Sequence, residues 1–103
     1  MRTYRVHLPN GEGEFLGFFC PGCDMPHEVR ITADKSPRWA FDGNDAAPTV
    51  SPSILVTWTW GPEHEQRRCH SFLRAGRLEF LGDCTHRLAG QTVELPELPE
   101  WLT

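Results

Sequence analysis

Four cysteines are the residues of this sequence best suited to holding a metal ion. Cys20 and Cys23 flank Pro21-Gly22 in the segment FFCPGCDMPHEV, a C-x-x-C spacing that lets two thiolates grip one ion from a tight turn. Cys69 and Cys84 form a second pair later in the chain, so the two pairs use every cysteine present. Four thiolates make a closed tetrahedral site, the pattern of structural zinc. The cysteines therefore predict a structural zinc ion bound by Cys20, Cys23, Cys69 and Cys84.

Three histidines lie near the cysteines and leave the ligand set open. His27, His70 and His86 each allow a site of three cysteines and one histidine. A zinc hydrolase that uses His70 and His86 is a further interpretation, because a metal with an open position activates water. A redox disulfide requires a thiol at a helix N-terminus, which this β-rich sequence does not offer. The remaining alternative is burial of the cysteines as small apolar side chains.

Length and composition favour one small globular domain over residues 1–103. The chain has 39% hydrophobic and 23% charged residues and a formal net charge of −4. No basic face is evident, so nucleic-acid binding is not expected. No apolar run approaches the ~20 residues of a membrane span, and the first residues lack a secretion signal. We therefore expect a cytoplasmic protein with no membrane association, in a compartment where paired thiols hold metal more often than they form disulfides.

Short β-prone runs separated by turn residues are the main structural signal. They predict a mainly β fold, a small antiparallel sandwich or partly open barrel that is stabilised by a bound zinc ion. At most one short helix is expected, near residues 85–89. The C-terminal tail ELPELPEWLT is predicted to be extended, with Trp101 packing onto the body. The predicted strands are residues 4–8, 14–20, 28–32, 38–41, 54–60, 69–74, 77–81 and 92–95.

The clearest predicted element is a hairpin in CHSFLRAGRLEFLGDCTH. If Ala75-Gly76 forms a two-residue loop, Arg74 pairs with Arg77 and Phe72 pairs with Glu79. Side chains alternate between the two faces of a strand, so this register decides which residues can meet.

Parity in this hairpin separates two sets of side chains. Continuing the register brings Cys69 opposite Gly82, so Cys69 shares a face with the position of Cys84. His70 falls on the opposite face together with Asp83. The hairpin therefore predicts cysteines on one face and an imidazole with a carboxylate on the other.

Several motifs resemble a poorly characterised family of small phage and bacterial proteins. Members usually carry a label of unknown function, and some carry an ammonia monooxygenase name. Distant relatives occur beside bacterial ubiquitin-like conjugation genes. One departure is Ala75, where the phage-type members commonly have an acidic turn residue. The motifs that carry the resemblance are CPGC, WAFDGNDAAPTVSPSI, CHSFLRAGRLEFLGDCTH and LAGQTVELP.

The resemblance implies a zinc-stabilised serine peptidase that processes or deconjugates a ubiquitin-like protein. The distant relatives look similar in the cysteine knuckle Cys20-Pro21-Gly22-Cys23, in the step Pro52-Ser53 and in the step Cys69-His70. Ser53 then becomes the candidate nucleophile, which needs a base within hydrogen-bond reach. His70 is the candidate base and Asp83 the residue that orients it. Ser51 and His86 are the competing candidates for the first two roles.

Two interpretations without serine chemistry remain. Serines flanked by prolines, as Ser51 and Ser53 are, commonly cap turns. The chain would then be a non-catalytic, zinc-stapled module of phage or defence origin that binds another protein. Its contact surface would include Trp58 and Trp60, which share one face of their strand by parity.

Overall fold

The computed structural model describes residues 1–103, and antiparallel strands form most of its regular structure. The predicted mainly β class is confirmed, and the strands form three open sheets with no closed barrel. A 3-10 turn at Glu100–Leu102 is the one helical element. The strands are β1 Tyr4–Leu8, β2 Gly13–Cys20, β3 Met25–Arg30, β4 Ala40–Phe41, β5 Val50–Ser51, β6 Ile54–Trp60, β7 Glu65–Arg74, β8 Arg77–Phe80 and β9 Thr92–Glu94.

The strands pair with neighbours in sequence. Sheet A has the order β1-β2-β3, sheet B is the pair β4-β5, and sheet C has the order β6-β7-β8-β9. Inward-facing side chains of sheets A and C form a shared core, because alternate residues of each strand point to the same face. Fully buried members include Leu16 and Phe18 from sheet A and Leu73 and Leu78 from sheet C.

The predicted strands agree with the structure to different degrees. The bounds of β1 and β6 are those predicted, whereas β7 begins at Glu65 rather than Cys69. The charged segment Glu65–Arg68 extends the strand because it pairs with residues 57–60 of β6. Strand β5 was not predicted, since two residues between prolines give no periodic signal.

The predicted hairpin between β7 and β8 forms around Ala75 and Gly76. Both residues have positive φ, 49° and 74°, which suits the two-residue turn that joins right-twisted strands. Arg74 pairs with Arg77, as expected. Ala75 occupies a left-handed conformation that costs energy for any residue with a Cβ.

The far end of the hairpin differs from the prediction. The paired ladder ends at Ser71 and Phe80, so Cys69 does not pair with Gly82. The cause is a bulge in the segment after Phe80, described with the candidate site below.

The C-terminal part of the chain is held by short contacts. Residues 85–89 form turns rather than the predicted helix. Leu95 and Leu98 are buried, and their N–H groups donate to the carbonyls of Gly76 and Met1. Trp101 is 68% exposed while its ring meets that of Phe19 edge to face. No helix in the structure has the length and apolar character required to cross a membrane.

Candidate active site and metal centre

Strand β7 carries the two predicted functional sets on opposite faces. Cys69 and Leu73 point into the core and are at most 1% exposed. Arg68 and His70 lie on the outer face, as alternation along a strand requires. The sequence-predicted separation of cysteines from the imidazole is therefore present.

Ser53 and His70 form a hydrogen-bonded pair on the outer face of sheet C. Ser53 directly precedes β6, and Leu55, two residues further on, lies opposite His70. Ser53 is therefore the diagonal cross-strand neighbour of His70 on the same face. The Ser53 Oγ lies 3.1 Å from His70 Nε2.

A bulge after β8 brings Asp83 to the other side of the His70 ring. The Leu81 N–H donates to the carbonyl of His70, in register with the hairpin. Regular pairing would place Asp83 opposite Arg68, but Thr85 takes that position and donates its N–H to Arg68. The two extra residues loop outward, as bulges near functional sites often do. Asp83 Oδ2 lies 3.3 Å from His70 Nδ1.

Cys84 and Thr85 fix the bulge to β7. The Cys84 Sγ accepts the N–H of His70 at 3.3 Å and lies 3.2 Å from its carbonyl oxygen, to which the thiol donates. The Thr85 hydroxyl accepts the N–H of Arg68 at 2.9 Å and lies 3.2 Å from the carbonyl oxygen of Arg68. The segment that carries Asp83 is thus anchored on both sides of His70.

The charges around His70 favour a ring that carries its proton on Nδ1. With that tautomer, His70 donates to Asp83 and accepts from the Ser53 hydroxyl. Arg68 Nη1 lies 3.9 Å from the same oxygen of Asp83. The side chains of His70 and Asp83 are 26% and 42% exposed, so water screens this chain of contacts in part.

The competing candidates lie elsewhere. Ser51 belongs to β5 and pairs with Ala40, and its hydroxyl makes no hydrogen bond to a histidine. The Nε2 of His86 lies 3.4 Å from the Cys69 Sγ, on the face of β7 that carries the cysteine. The structure brings together the three residues that the sequence analysis had selected, and their catalytic roles stay a proposal.

A cluster of cysteine and histidine side chains, called the metal cluster below, lies between sheets A and C. One ligand atom from each of four residues lies within 4.8 Å of the others, and these residues are Cys20, Cys23, His27 and Cys69. The Cys20 and Cys69 sulfurs are 4.0 Å apart. Two thiolates on one tetrahedral zinc ion are about 3.8 Å apart, given Zn–S bonds of about 2.3 Å. The cluster has the composition and the spacing of a site that could hold a metal ion.

Comparison with known proteins places the chain in a family. A model of the BubE family, described as the serine protease of a bacterial ubiquitination-like system, matches residues 2–81. The chain belongs to this family. The expected connection to bacterial ubiquitin-like systems is confirmed, whereas the connections to phage and to zinc stay predictions. Searches of curated proteins and of solved structures find no match.

The range matched by the BubE family covers part of the candidate sites. It contains Ser53 and His70, together with three cysteines of the metal cluster, and ends before Asp83 and Cys84. The position of Asp83 beside His70 is therefore observed in the structure, and the family match does not extend to it.

His27 is the member of the metal cluster that the sequence offered only as an alternative to the four cysteines. Its side chain is 6% exposed, and its Nε2 has no hydrogen-bond partner. A buried imidazole nitrogen without a partner is costly unless a ligand satisfies it. In the hairpin of β2 and β3, Cys20 pairs with Met25, so His27 shares their face. Parity would have revealed it only with the register of the four-residue turn between β2 and β3 already known.

Cys84 lies in a second group that shares Cys69 with the first. This group consists of Cys69, Cys84 and His86. The prediction of Cys84 as the fourth ligand stays a prediction, because its sulfur also contacts the main chain of His70. His86 stacks its ring edge to face on Phe80, with centroids 4.6 Å apart.

The electrostatics of this BubE family member suit a cationic ligand at the cysteines. Hydrogen bonds from the thiols of Cys23 and Cys69 hold the pKa of Cys20 far below its usual value. The same contact with Cys20 raises the pKa of Cys69. Burial lowers the pKa of His86, which keeps its imidazole neutral and able to bind a metal. The residues present fit a zinc ion.

Proposed function

We propose that the protein is a serine peptidase that processes or deconjugates a bacterial ubiquitin-like protein and is stabilised by a structural zinc ion. The observation that carries the proposal is the continuous chain of contacts from Ser53 Oγ through the His70 ring to Asp83. Membership of a family described as serine proteases supports the same reaction class.

In the first half of the reaction, Ser53 becomes acylated. His70 Nε2 takes the hydroxyl proton while Ser53 Oγ attacks the substrate carbonyl carbon. Asp83 stabilises the imidazolium that results. The bond from carbon to the leaving nitrogen then breaks, His70 gives its proton to that nitrogen, and the acyl group remains as an ester on Ser53.

In the second half, water releases the product. His70 takes a proton from water while the water oxygen attacks the ester carbon. The bond from that carbon to Ser53 Oγ breaks, and Oγ takes the proton back from His70. The product is a free carboxyl group, and the three residues return to their initial state.

The N–H of Ser53 is the candidate donor to the developing oxyanion. It makes no hydrogen bond within the protein. A main-chain N–H of the nucleophile is a common member of an oxyanion hole, because it already lies next to the attacking atom.

The metal site contributes stability rather than chemistry in this proposal. Cys20, Cys23 and Cys69 would hold zinc, with His27, Cys84 or His86 as the fourth ligand. A zinc ion bound there supplies folding free energy, which a 103-residue chain with 20 buried residues can use.

No separate observation favours the alternatives. A zinc hydrolase using His70 and His86 would need both at one ion, whereas His70 contacts Ser53 and Asp83 and belongs to neither metal-binding group. A binding surface made of Trp58 and Trp60 would need both rings exposed, whereas Trp58 packs against the core.

The test uses a ubiquitin-like protein from a bacterial ubiquitination-like system, fused at its C-terminus to a fluorescent protein. The parent chain is expected to separate the two parts, and the variants Ser53→Ala and His70→Ala are expected to lose this activity while keeping the fold. Cleavage by either variant at the parent rate would contradict the assignment. Ser51→Ala is the matched control and should cleave normally.

A further inference from the structure

We propose that the outer edge of strand β6 binds the substrate as an added antiparallel strand, so that the substrate class is an extended polypeptide tail. This inference rests on the proposed function, because it describes how the tail reaches Ser53. Main-chain pairing with a free sheet edge is a recognised mode of peptide binding.

The direction of the main-chain groups in β7 follows from its contacts with the bulge. The carbonyls of Arg68 and His70 accept N–H groups from Thr85 and Leu81, so both residues point their main chain toward β8. Adjacent residues of a strand point their main-chain groups in opposite directions. Cys69, between these two residues, therefore points its main chain toward β6.

The main-chain groups of β6 alternate in direction in the same way. Val56 lies opposite Cys69, so Val56 uses its N–H and carbonyl to pair with β7. Leu55, Thr57 and Thr59 consequently direct theirs to the other side. Strand β6 is the first strand of sheet C, so no strand lies beyond this edge. At this free edge, three residues present an N–H and a carbonyl that pair with no strand.

The side chains at these positions leave the edge open. Leu55 is 57% exposed, and Thr57 and Thr59 are exposed as well. Proteins usually protect a long apolar edge strand with charges, proline or a covering segment. The sequence Ile54–Trp60 contains no charge and no proline, which is expected when the edge has a partner.

The free edge leads directly to the candidate nucleophile. Ser53 has the same parity as Leu55 and is the next position along the edge. An added strand would lie about 4.8 Å from β6. His70 lies on β7, so Ser53 would stand between its base and the substrate. The indole N–H of Trp39 donates to the carbonyl of Ser53 at 3.3 Å, which closes the edge at this point.

The shape of the site favours an extended chain over a compact ligand. A cavity of about 750 Å³ is lined by residues such as Tyr4, Asp45 and Glu97, and neither Ser53 nor His70 lines it. Small-molecule sites are normally concave. Ser53 lies at the end of the free strand edge, so a flexible tail paired along β6 would place its carboxyl end at Ser53.

Peptidyl diphenyl phosphonates of one to five residues test the proposal without knowledge of the natural substrate. They form a covalent adduct with an activated serine, and their peptide part lies on the carbonyl side of the bond to be cleaved. Each main-chain hydrogen bond gained corresponds to roughly a two- to tenfold change in rate. We expect the five-residue probe to label Ser53 at least about thirtyfold faster than the one-residue probe.

Two variants of Thr57 isolate the main-chain contact. Thr57→Pro removes an N–H that points away from β7, so strand pairing is retained, and proline is tolerated at sheet edges. We expect the ratio of five-residue to one-residue labelling to fall about tenfold. Thr57→Val keeps the N–H and should keep the ratio. If Thr57→Pro does not fold, probes N-methylated at alternate amides replace it, and methylation should slow labelling only at amides that face β6.

The outcomes separate this inference from the proposed function. If no probe labels Ser53, the proposed function fails. If Ser53 is labelled at a rate that is independent of peptide length, the edge proposal is overturned and the proposed function stands. A dimer in light scattering that Thr57→Pro dissociates would also overturn it, because the edge would then pair with a second copy.

Discussion

Replacement of Asp83 by asparagine tests the least expected part of the candidate site, the bulge that places a carboxylate on His70. The change removes a negative charge 3.3 Å from Nδ1 while keeping the size of the side chain. The imidazolium that forms when Ser53 attacks then loses its nearest counter-charge, so the rate of nucleophilic attack by Ser53 should fall.

The size of the loss follows from distance and exposure. Two unit charges 3.3 Å apart attract by about 5 kcal/mol at an effective dielectric constant of 20 and by about 1.3 kcal/mol in bulk water. The Asp83 side chain is 42% exposed, and Arg68 shares its oxygen. We therefore expect a loss of about 2 kcal/mol, which is about thirtyfold in rate.

The assay is the second-order rate constant for labelling of Ser53 by a fluorophosphonate, followed by intact mass. Glu79→Gln is the matched control, since it removes a carboxylate of sheet C that pairs with Arg74 rather than with His70. The control should label within about twofold of the parent chain. If Asp83→Asn also labels within twofold, Asp83 does not assist His70 and the three-residue mechanism is refuted.

Three further predictions follow from the structure. Ser53→Ala should abolish fluorophosphonate labelling and Ser51→Ala should preserve it, and labelling of the first variant would reassign the nucleophile. Gly22→Ala should destabilise the protein by about 1–3 kcal/mol in denaturant unfolding, because its Cβ would lie 2.3 Å from the His86 ring, whereas Gly82→Ala meets no atom within 4 Å and should be neutral. With free zinc at about a thousand times its dissociation constant, addition of a chelator should lower the melting temperature by about 15 °C or more. An unchanged melting temperature would contradict a structural metal.

Local patterns explain why the hairpin of β7 and β8 and the bounds of β1 and β6 were predictable. Strand β6 is a run of β-branched and aromatic residues, and the turn at Ala75-Gly76 fixes the register of β7 and β8. Asp83 was placed correctly on the face of His70 although the ladder ends earlier than predicted. Asp83 lies within the bulge, and the contacts of Cys84 and Thr85 with β7 hold it beside the His70 ring.

Tertiary contacts explain what the sequence did not reveal. His27 reaches the metal cluster because the knuckle turn sets the register of β2 and β3, and a four-residue turn has several registers available. The sulfur of Cys84 contacts the main chain of His70 only because the bulge folds back on β7. Residues 85–89 form turns rather than a helix, with Leu88 buried in the core.

The most direct test of Ser53 as the nucleophile is the site of covalent modification by a fluorophosphonate, located by tandem mass spectrometry on the zinc-loaded chain. We expect one adduct per chain, on Ser53, which forms in the parent protein and is lost in His70→Ala. A folded, zinc-loaded chain that stays unmodified, or one that carries the adduct on another residue, would contradict the claim that Ser53 is a nucleophile activated by His70.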